Sequence, residues 1–197
     1  GILEPDKGEI LFENKNIGKL SKRDYKSFRK SVQMVFQDPY TSLNPTKTIK
    51  DILQEPMITH RIVPQNQLSE SVNTILKQVG LVQEVQDRYP HELSGGQRQR
   101  VCIARALVMN PKLIIFDESV SALDVSVKAD ILNLLNELKT KFNLTYIFIS
   151  HDLAVIRFIS DRVLVMKESQ KVEMGFTESI YSNPKEQYTQ KLLSSTT

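Results

Sequence analysis

Apolar positions along this chain switch between a period of two and a period near 3.6, and the switches divide it into elements. Residues 9–13, EILFE, alternate apolar and polar side chains and predict a strand, followed by a turn around residues 14–16. Residues 22–31 read as a short basic helix. VQMVF at 32–36 reads as a buried strand that closes at Gln37-Asp38-Pro39. Turn residues and a short amphipathic segment with Ile49, Ile52 and Leu53 fill 41–60. Leu68, Val72, Ile75, Leu76 and Val79 then recur at helical spacing, and Gly80 stops that helix.

The second half has a different texture. LIIF (113–116), TYIFIS (145–150) and RVLVM (162–166) are continuous apolar runs of strand length. Helical patterns separate them, at about 97–109, at 126–141 with Ile131, Leu134, Leu135 and Leu138, and at 153–160. Apolar strands alternating with helices predict an α/β domain whose parallel sheet is covered on both faces. Ligand chemistry in such sheets sits at the carboxyl ends of the strands. Asp117, Glu118 and His151 fall there.

Composition narrows this picture only by exclusion. A length of 197 residues suits about one domain, and 40% hydrophobic with 25% charged residues is ordinary for a globular chain. The net charge of +3 is spread without a block of like charges, so a nucleic-acid partner gains no support. The densest basic stretch, Lys19 to Lys30, also holds Asp24 and two aromatics and reads as a solvated helix face. The single cysteine, Cys102, can form neither an internal disulfide nor a cysteine cluster, which fits a reducing compartment. No run approaches 18 apolar residues and no signal-peptide pattern is present. Service to a membrane would therefore run from its surface, through a partner.

Chemistry concentrates in a few short segments. In Leu93-Ser94-Gly95-Gly96-Gln97, two glycines after a serine let backbone approach a ligand closely. The helix that begins there leaves unpaired N–H groups at its positive end, a ready phosphate site. An ordinary helix start with Ser94 as N-cap would need no ligand, but the full pentapeptide followed by Arg98-Gln99-Arg100 is far more specific. LIIFDE delivers Asp117 and Glu118 from a buried strand. The first suits Mg²⁺, and the second can orient or deprotonate a water. An apolar run ending in an acid is common, so this segment alone is weak. Gln37 and His151 close strands in the same manner, and either alone reads more readily as a turn residue. SALD (121–124) follows the acids by one short loop.

The order of these segments resembles that of ABC ATPases over essentially the whole chain. VFQDP resembles the Q-loop, LSGGQRQR the signature, LIIFDE the Walker B strand, SALD the D-loop and SHD the switch histidine. VFQDPYTSLNP, PHELSGGQRQR and SALDVSV look most like the ATPase subunits of peptide and nickel importers. The resemblance implies an ABC-type P-loop ATPase domain, α/β with a mostly parallel sheet and an inserted helical subdomain at about 41–110. Residues 1–175 would form that domain, and 176–197 would begin a C-terminal extension. It further implies ATP and Mg²⁺ as ligands. Glu118 would be the general base, Asp117 would serve the metal, and Gln37 would sense the γ-phosphate and metal. His151 would contact the γ-phosphate. Ser94, Gly95, Gly96 and Gln97 would close on ATP held by a second ATPase subunit, identical or paralogous, and Asp124 would lie at that interface. Membrane permeases would dock near the Q-loop and 41–60, with an extracellular solute-binding protein acting indirectly. The subunit would sit peripherally on the cytoplasmic face of the membrane and power uptake of oligopeptides, dipeptides or nickel-type complexes.

The sequence also departs from that family. It contains no G-x-x-x-x-G-K-[ST] phosphate loop, and its opening at Gly1 reads as the end of a cut element. A piece of an intact ATPase is the favoured reading, and an inactive remnant that only binds partners is the alternative. A non-transport ABC ATPase is disfavoured because the short interval from Gln37 to Ser94 holds no heptads. Ser119 stands where the family usually has proline, which should relax Glu118 from an extended geometry with modest effect. KESQKVEMG (167–175) lacks the tight glycine turn common there, and Cys102 alone cannot hold the iron–sulfur cluster of longer members.

Overall fold

A computed structural model describes residues 5–195. The first four residues of the opening that reads as cut, and the last two residues of the 176–197 tail, lie outside the described residues.

Strands β1 (Leu11–Phe12) and β2 (Lys15–Asn16) form an antiparallel hairpin. It turns at Glu13 and Asn14, whose φ angles are 50° and 61°, slightly earlier than the pattern predicts. Helix α1 (Lys22–Ser31) starts where expected, with the Ser21 hydroxyl accepting the Asp24 N–H, and leads into β3 (Val32–Val35). The next stretch is more helical than its turn residues suggest. After α2 (Pro39–Ser42), Thr48 and Asp51 exchange hydrogen bonds in a capping box that opens α3 (Ile49–Thr59), which runs through Pro56. Ile49 and Leu53 are fully buried, so packing offsets the N–H lost at the proline. Helix α4 (Leu68–Gln78) ends against Gly80, whose φ of +70° permits the reversal, and Arg100 donates to the Val79 carbonyl at 2.7 Å. Helix α5 (Gly95–Leu107) then leads to β4 (Leu113–Asp117).

Three parallel strands carry the centre of the fold, in the order β3-β4-β5 with β5 spanning Thr145–Ile149. Register pairs Val35 with Phe116 and Asp117 with Ile149, so the strands end together. Helix α6 (Val125–Phe142) buries Ile131, Leu135 and Leu138, and Asn143 closes it at φ 50°. Phe116 is fully buried between Tyr146 and Phe148, with ring centroids 5.0 and 5.4 Å away. The opposite face of β5 is not covered as predicted: Ile147 and Ile149 remain 47% and 48% exposed on an edge strand.

A second correction concerns RVLVM. After α7 (Leu153–Ile159), β6 (Arg162–Lys167) does not join the parallel sheet but pairs antiparallel with β7 (Gln170–Phe176). The apolar run is buried on one side only, with Val165 inside and Leu164 and Met166 about half exposed. The glycine turn missing between them is replaced by Glu168 and Ser169, both left-handed at φ 48° and 63°. Such two-residue turns favour Asn-Gly, and side chains there carry a steric penalty. Replacing Glu168-Ser169 with Asn-Gly is expected to raise unfolding stability by about 1 kcal/mol, measured by urea titration; an unchanged midpoint would count against this turn geometry. Helices α8 (Thr177–Ser182) and α9 (Gln187–Ser194) complete the chain, and α8 is tied back by the Tyr181 hydroxyl donating to the Leu153 carbonyl at 2.5 Å. Among the described residues, no helix is long and apolar enough to cross a membrane.

Candidate functional site

Because β3, β4 and β5 are parallel and end in register, the residues just beyond them meet at one edge. Gln37 follows β3, Glu118 follows β4 and His151 follows β5. The Gln37 side-chain amide donates to Glu118 Oε2 at 2.9 Å, and His151 Nδ1 lies 3.2 Å from Oε1. Both carboxylate oxygens of Glu118 thus have a partner from a neighbouring strand end. The three positions chosen from sequence as catalytic form one cluster.

The backbone around Glu118 explains its placement. Its N–H donates to the Ile149 carbonyl at 2.9 Å, and its carbonyl accepts from the Ser121 hydroxyl at 2.8 Å. Between these anchors Glu118 takes φ 45°, the left-handed region rather than the extended geometry a following proline would favour. Ser119 is buried and its hydroxyl has no hydrogen-bond partner among the described residues.

Aspartates fix the flanking loops, and sequence reading passed over them. Asp38 accepts the Tyr40 N–H at 2.8 Å and caps α2 immediately after Gln37; that bond holds its carboxyl below the ordinary range. Asp152 does the same after His151, accepting from Ala154 and Val155. Its second oxygen accepts from Lys128 Nζ at 2.8 Å, which ties the start of α6 to the start of α7; that bond first, and the backbone N–H groups after it, hold the carboxyl below its ordinary range. A depressed carboxyl stabilises the fold above its unfolded pKa and loses that contribution as pH falls through the folded value. The available signal was an Asp directly before a helix, with proline next in the case of Asp38.

The glycine segment lies at another place. Ser94 caps α5: its hydroxyl accepts the Gln97 N–H at 3.3 Å, and Gln97 Oε1 accepts the Ser94 N–H at 3.0 Å. Gln97 thus spends its carbonyl on the cap. No hydrogen bond joins this segment to Gln37, Glu118 or His151 among the described residues. It packs instead against the start of α6, where Asp124 is the N-cap residue without a side-chain cap bond. A Cβ on Gly96 would come within 2.6 Å of Val127 Cγ1. Gly96→Ala is expected to cost about 1–3 kcal/mol in denaturant unfolding, and adding Val127→Ala should recover most of it; no recovery would mean the close approach is not the cause.

The Gln37 loop and the glycine helix are mechanically joined. On α2, Ser42 shares a hydrogen bond with Cys102 Sγ at 3.2 Å, and the Ser42 carbonyl accepts from Arg105. Arg98 also stacks over the Tyr40 ring at 5.0 Å. Burial pushes the Cys102 thiol up, so it packs as an apolar group.

Asp117 ends β4 half-buried, and its side chain makes no hydrogen bond among the described residues. Among the described residues no three His, Cys, Asp or Glu side chains gather to hold a metal. A lone free carboxylate suits Mg²⁺ that brings phosphate and water as its other ligands.

A parallel sheet ending in an acid pair, with an amide and an imidazole on the second acid, and a separate glycine-started helix define an α/β domain built for phosphate chemistry. The chain belongs to the ABC transporter family, whose model matches residues 1–121. It is 53% identical over 195 residues to the oligopeptide transport ATP-binding protein AppF of Bacillus subtilis, covering 98% of this chain and 59% of that protein. It is 49% identical over 192 residues to the glutathione import ATP-binding protein GsiA of Escherichia coli K12, covering 98% of this chain and 31% of that protein. The chain thus spans 59% and 31% of the lengths of these two relatives, less than two thirds of either. Among solved structures it is similar to cbiO1 of Clostridium perfringens, part of the ABC transporter complex cbiONQ, with TM-score 0.81 and 33% identity over 93% of this chain and 71% of that one. The ADP- and Pi-bound dimer of the ATP-binding cassette MJ0796 superposes with TM-score 0.77 and 28% identity, covering 89% and 76%.

Proposed function

We propose that these residues belong to an ATP-hydrolysing subunit that drives solute import, with Glu118 as the group that activates water. The convergence of Gln37 and His151 on the Glu118 carboxylate carries this reading. A general base must be held within hydrogen-bond reach of its water, and two neighbours fix this one. When Glu118 is ionised, the proton in its contact with His151 resides on Nδ1, leaving Nε2 of the neutral ring as an acceptor. Gln37 donates through its amide and can exchange Glu118 for a phosphate oxygen or a water when nucleotide arrives. Asp117 would hold the Mg²⁺ that accompanies ATP, neutralising charge on the phosphates.

Ser94, Gly95 and Gly96 serve a second subunit in this reading. They stand apart from the Glu118 cluster, and their open helix start suits the ATP of a partner, with Asp124 at the same interface. The post-hydrolysis dimer of MJ0796 supports two-fold assembly of such domains. We read 41–110 as the helical unit that meets membrane permeases on the cytoplasmic face, and 176–197 as the beginning of an extension. The relatives' roles in oligopeptide transport and glutathione import favour oligopeptides or dipeptides over nickel-type complexes, with an external solute-binding protein supplying them.

The phosphate cradle is the part this sequence does not contain. A chain that joins these residues to a G-x-x-x-x-G-K-[ST] loop is expected to hydrolyse ATP, whereas the 197-residue polypeptide alone shows negligible turnover. Measurable turnover by that polypeptide, free of longer protein and abolished by Glu118→Gln, would refute this division of labour.

A further inference from the structure

Away from the Glu118 cluster, one face of α1 carries Arg23, Lys26, Ser27 and Lys30, which is the i, i+3, i+4, i+7 row of a helix. Opposite it, the chain leaving α3 brings His60 and Arg61 to the same place. These residues line a concave, open pocket of about 500 Å³. Arg61 is held there by a left-handed backbone, φ 50°, and Lys30 Nζ donates to the His60 carbonyl at 2.8 Å, which fixes the two walls against each other.

The charge in this pocket is unbalanced. Arg23, Lys26 and Arg61 have no ion-pair partner among the described residues, and Lys30 contacts only a carbonyl. Asp24, the one acid on α1, is occupied by the Ser21 cap at 2.7 Å, and Glu55 on α3 is paired with Lys47. Like charges three and four residues apart disfavour a helix, so this row opposes folding unless an anion neutralises it. Burial, followed by Lys30, Lys26 and Arg29, holds the His60 imidazole below its ordinary range, as expected beside uncompensated cations.

We propose that this pocket is a docking site for the phosphate group of an anionic phospholipid. Four cations converge on one concavity instead of lining an extended groove, which suits a compact, multiply accepting anion over a strand of spaced carboxylates. Two are arginines, whose planar forks match phosphate oxygens. The family acts in membrane transport, so a bilayer surface is the phosphate-rich partner within reach. The site uses none of the groups assigned to ATP, and its standing does not depend on hydrolysis.

The test is co-sedimentation of the full chain with phosphatidylcholine vesicles, with and without phosphatidylglycerol, at low and high salt. Arg23→Gln/Lys26→Gln is the variant of choice, because both side chains are exposed and neither makes a hydrogen bond or ion pair among the described residues. Binding is expected only to the anionic vesicles, falling with salt and dropping on the order of tenfold or more in the double variant. Equal binding by variant and parent would overturn the proposal. So would displacement by inorganic phosphate beyond that of chloride at matched ionic strength, which assigns the pocket to a soluble phosphate. Absent vesicle binding alongside binding to an acidic peptide would overturn it in favour of a protein partner.

Discussion

Glu118→Gln is expected to lower ATP turnover by two to four orders of magnitude in a chain that carries both these residues and a phosphate loop. The substitution keeps shape and hydrogen-bonding length but removes the proton acceptor. Gln37 donates to one oxygen of Glu118 and His151 approaches the other; glutamine can satisfy only one of these as an acceptor. Nucleotide binding should survive, because the Glu118 carboxylate meets Gln37 and His151 and does not supply the phosphate cradle. The decisive pair of measurements is steady-state hydrolysis beside nucleotide affinity. A fall in turnover below tenfold would remove Glu118 from the role of base, and a parallel loss of affinity would recast it as a binding residue.

Phe116→Ala is expected to destabilise the fold by about 3–5 kcal/mol, a large share of the about 5–15 kcal/mol available to a typical domain. Phe116 is fully buried in the central strand and touches two aromatic rings of β5. Removing the ring leaves a cavity directly beneath the strand end that presents Asp117 and Glu118. Urea unfolding reads the effect, and a loss under about 1.5 kcal/mol would mean that the layer collapses to fill the space.

Much of this arrangement is written in local pattern. LIIF and TYIFIS are long enough and apolar enough to specify strands, and Ser94 with Gln97 three residues later specifies a capped helix start. The cluster at Glu118 was legible as a set of strand ends, because parallel strands in register must bring such residues to one edge. Its hydrogen bonds were not, since they depend on loop paths set by Asp38, Asp152 and Lys128. Helix α3 was legible only as a short amphipathic segment at Ile49, Ile52 and Leu53; Pro56 and the surrounding turn residues masked its length, although Thr48 and Asp51 mark its start. RVLVM misled for a different reason. A run with one buried face and one half-exposed face has the same letters as a fully buried strand, and only the partner across the ladder distinguishes them.

The edge strand β5 has a practical consequence. Among the described residues its outer ladder positions are unpaired, and Ile147 and Ile149 add apolar surface beside them. Such an edge is a template for any extended segment that comes alongside. In concentrated solution the isolated polypeptide should therefore stick to copies of itself, giving light scattering that grows with concentration and with heating. Any strand that settles along β5 would supply hydrogen-bond partners and a lid for the two isoleucines at once, and would act as a built-in chaperone for this sheet.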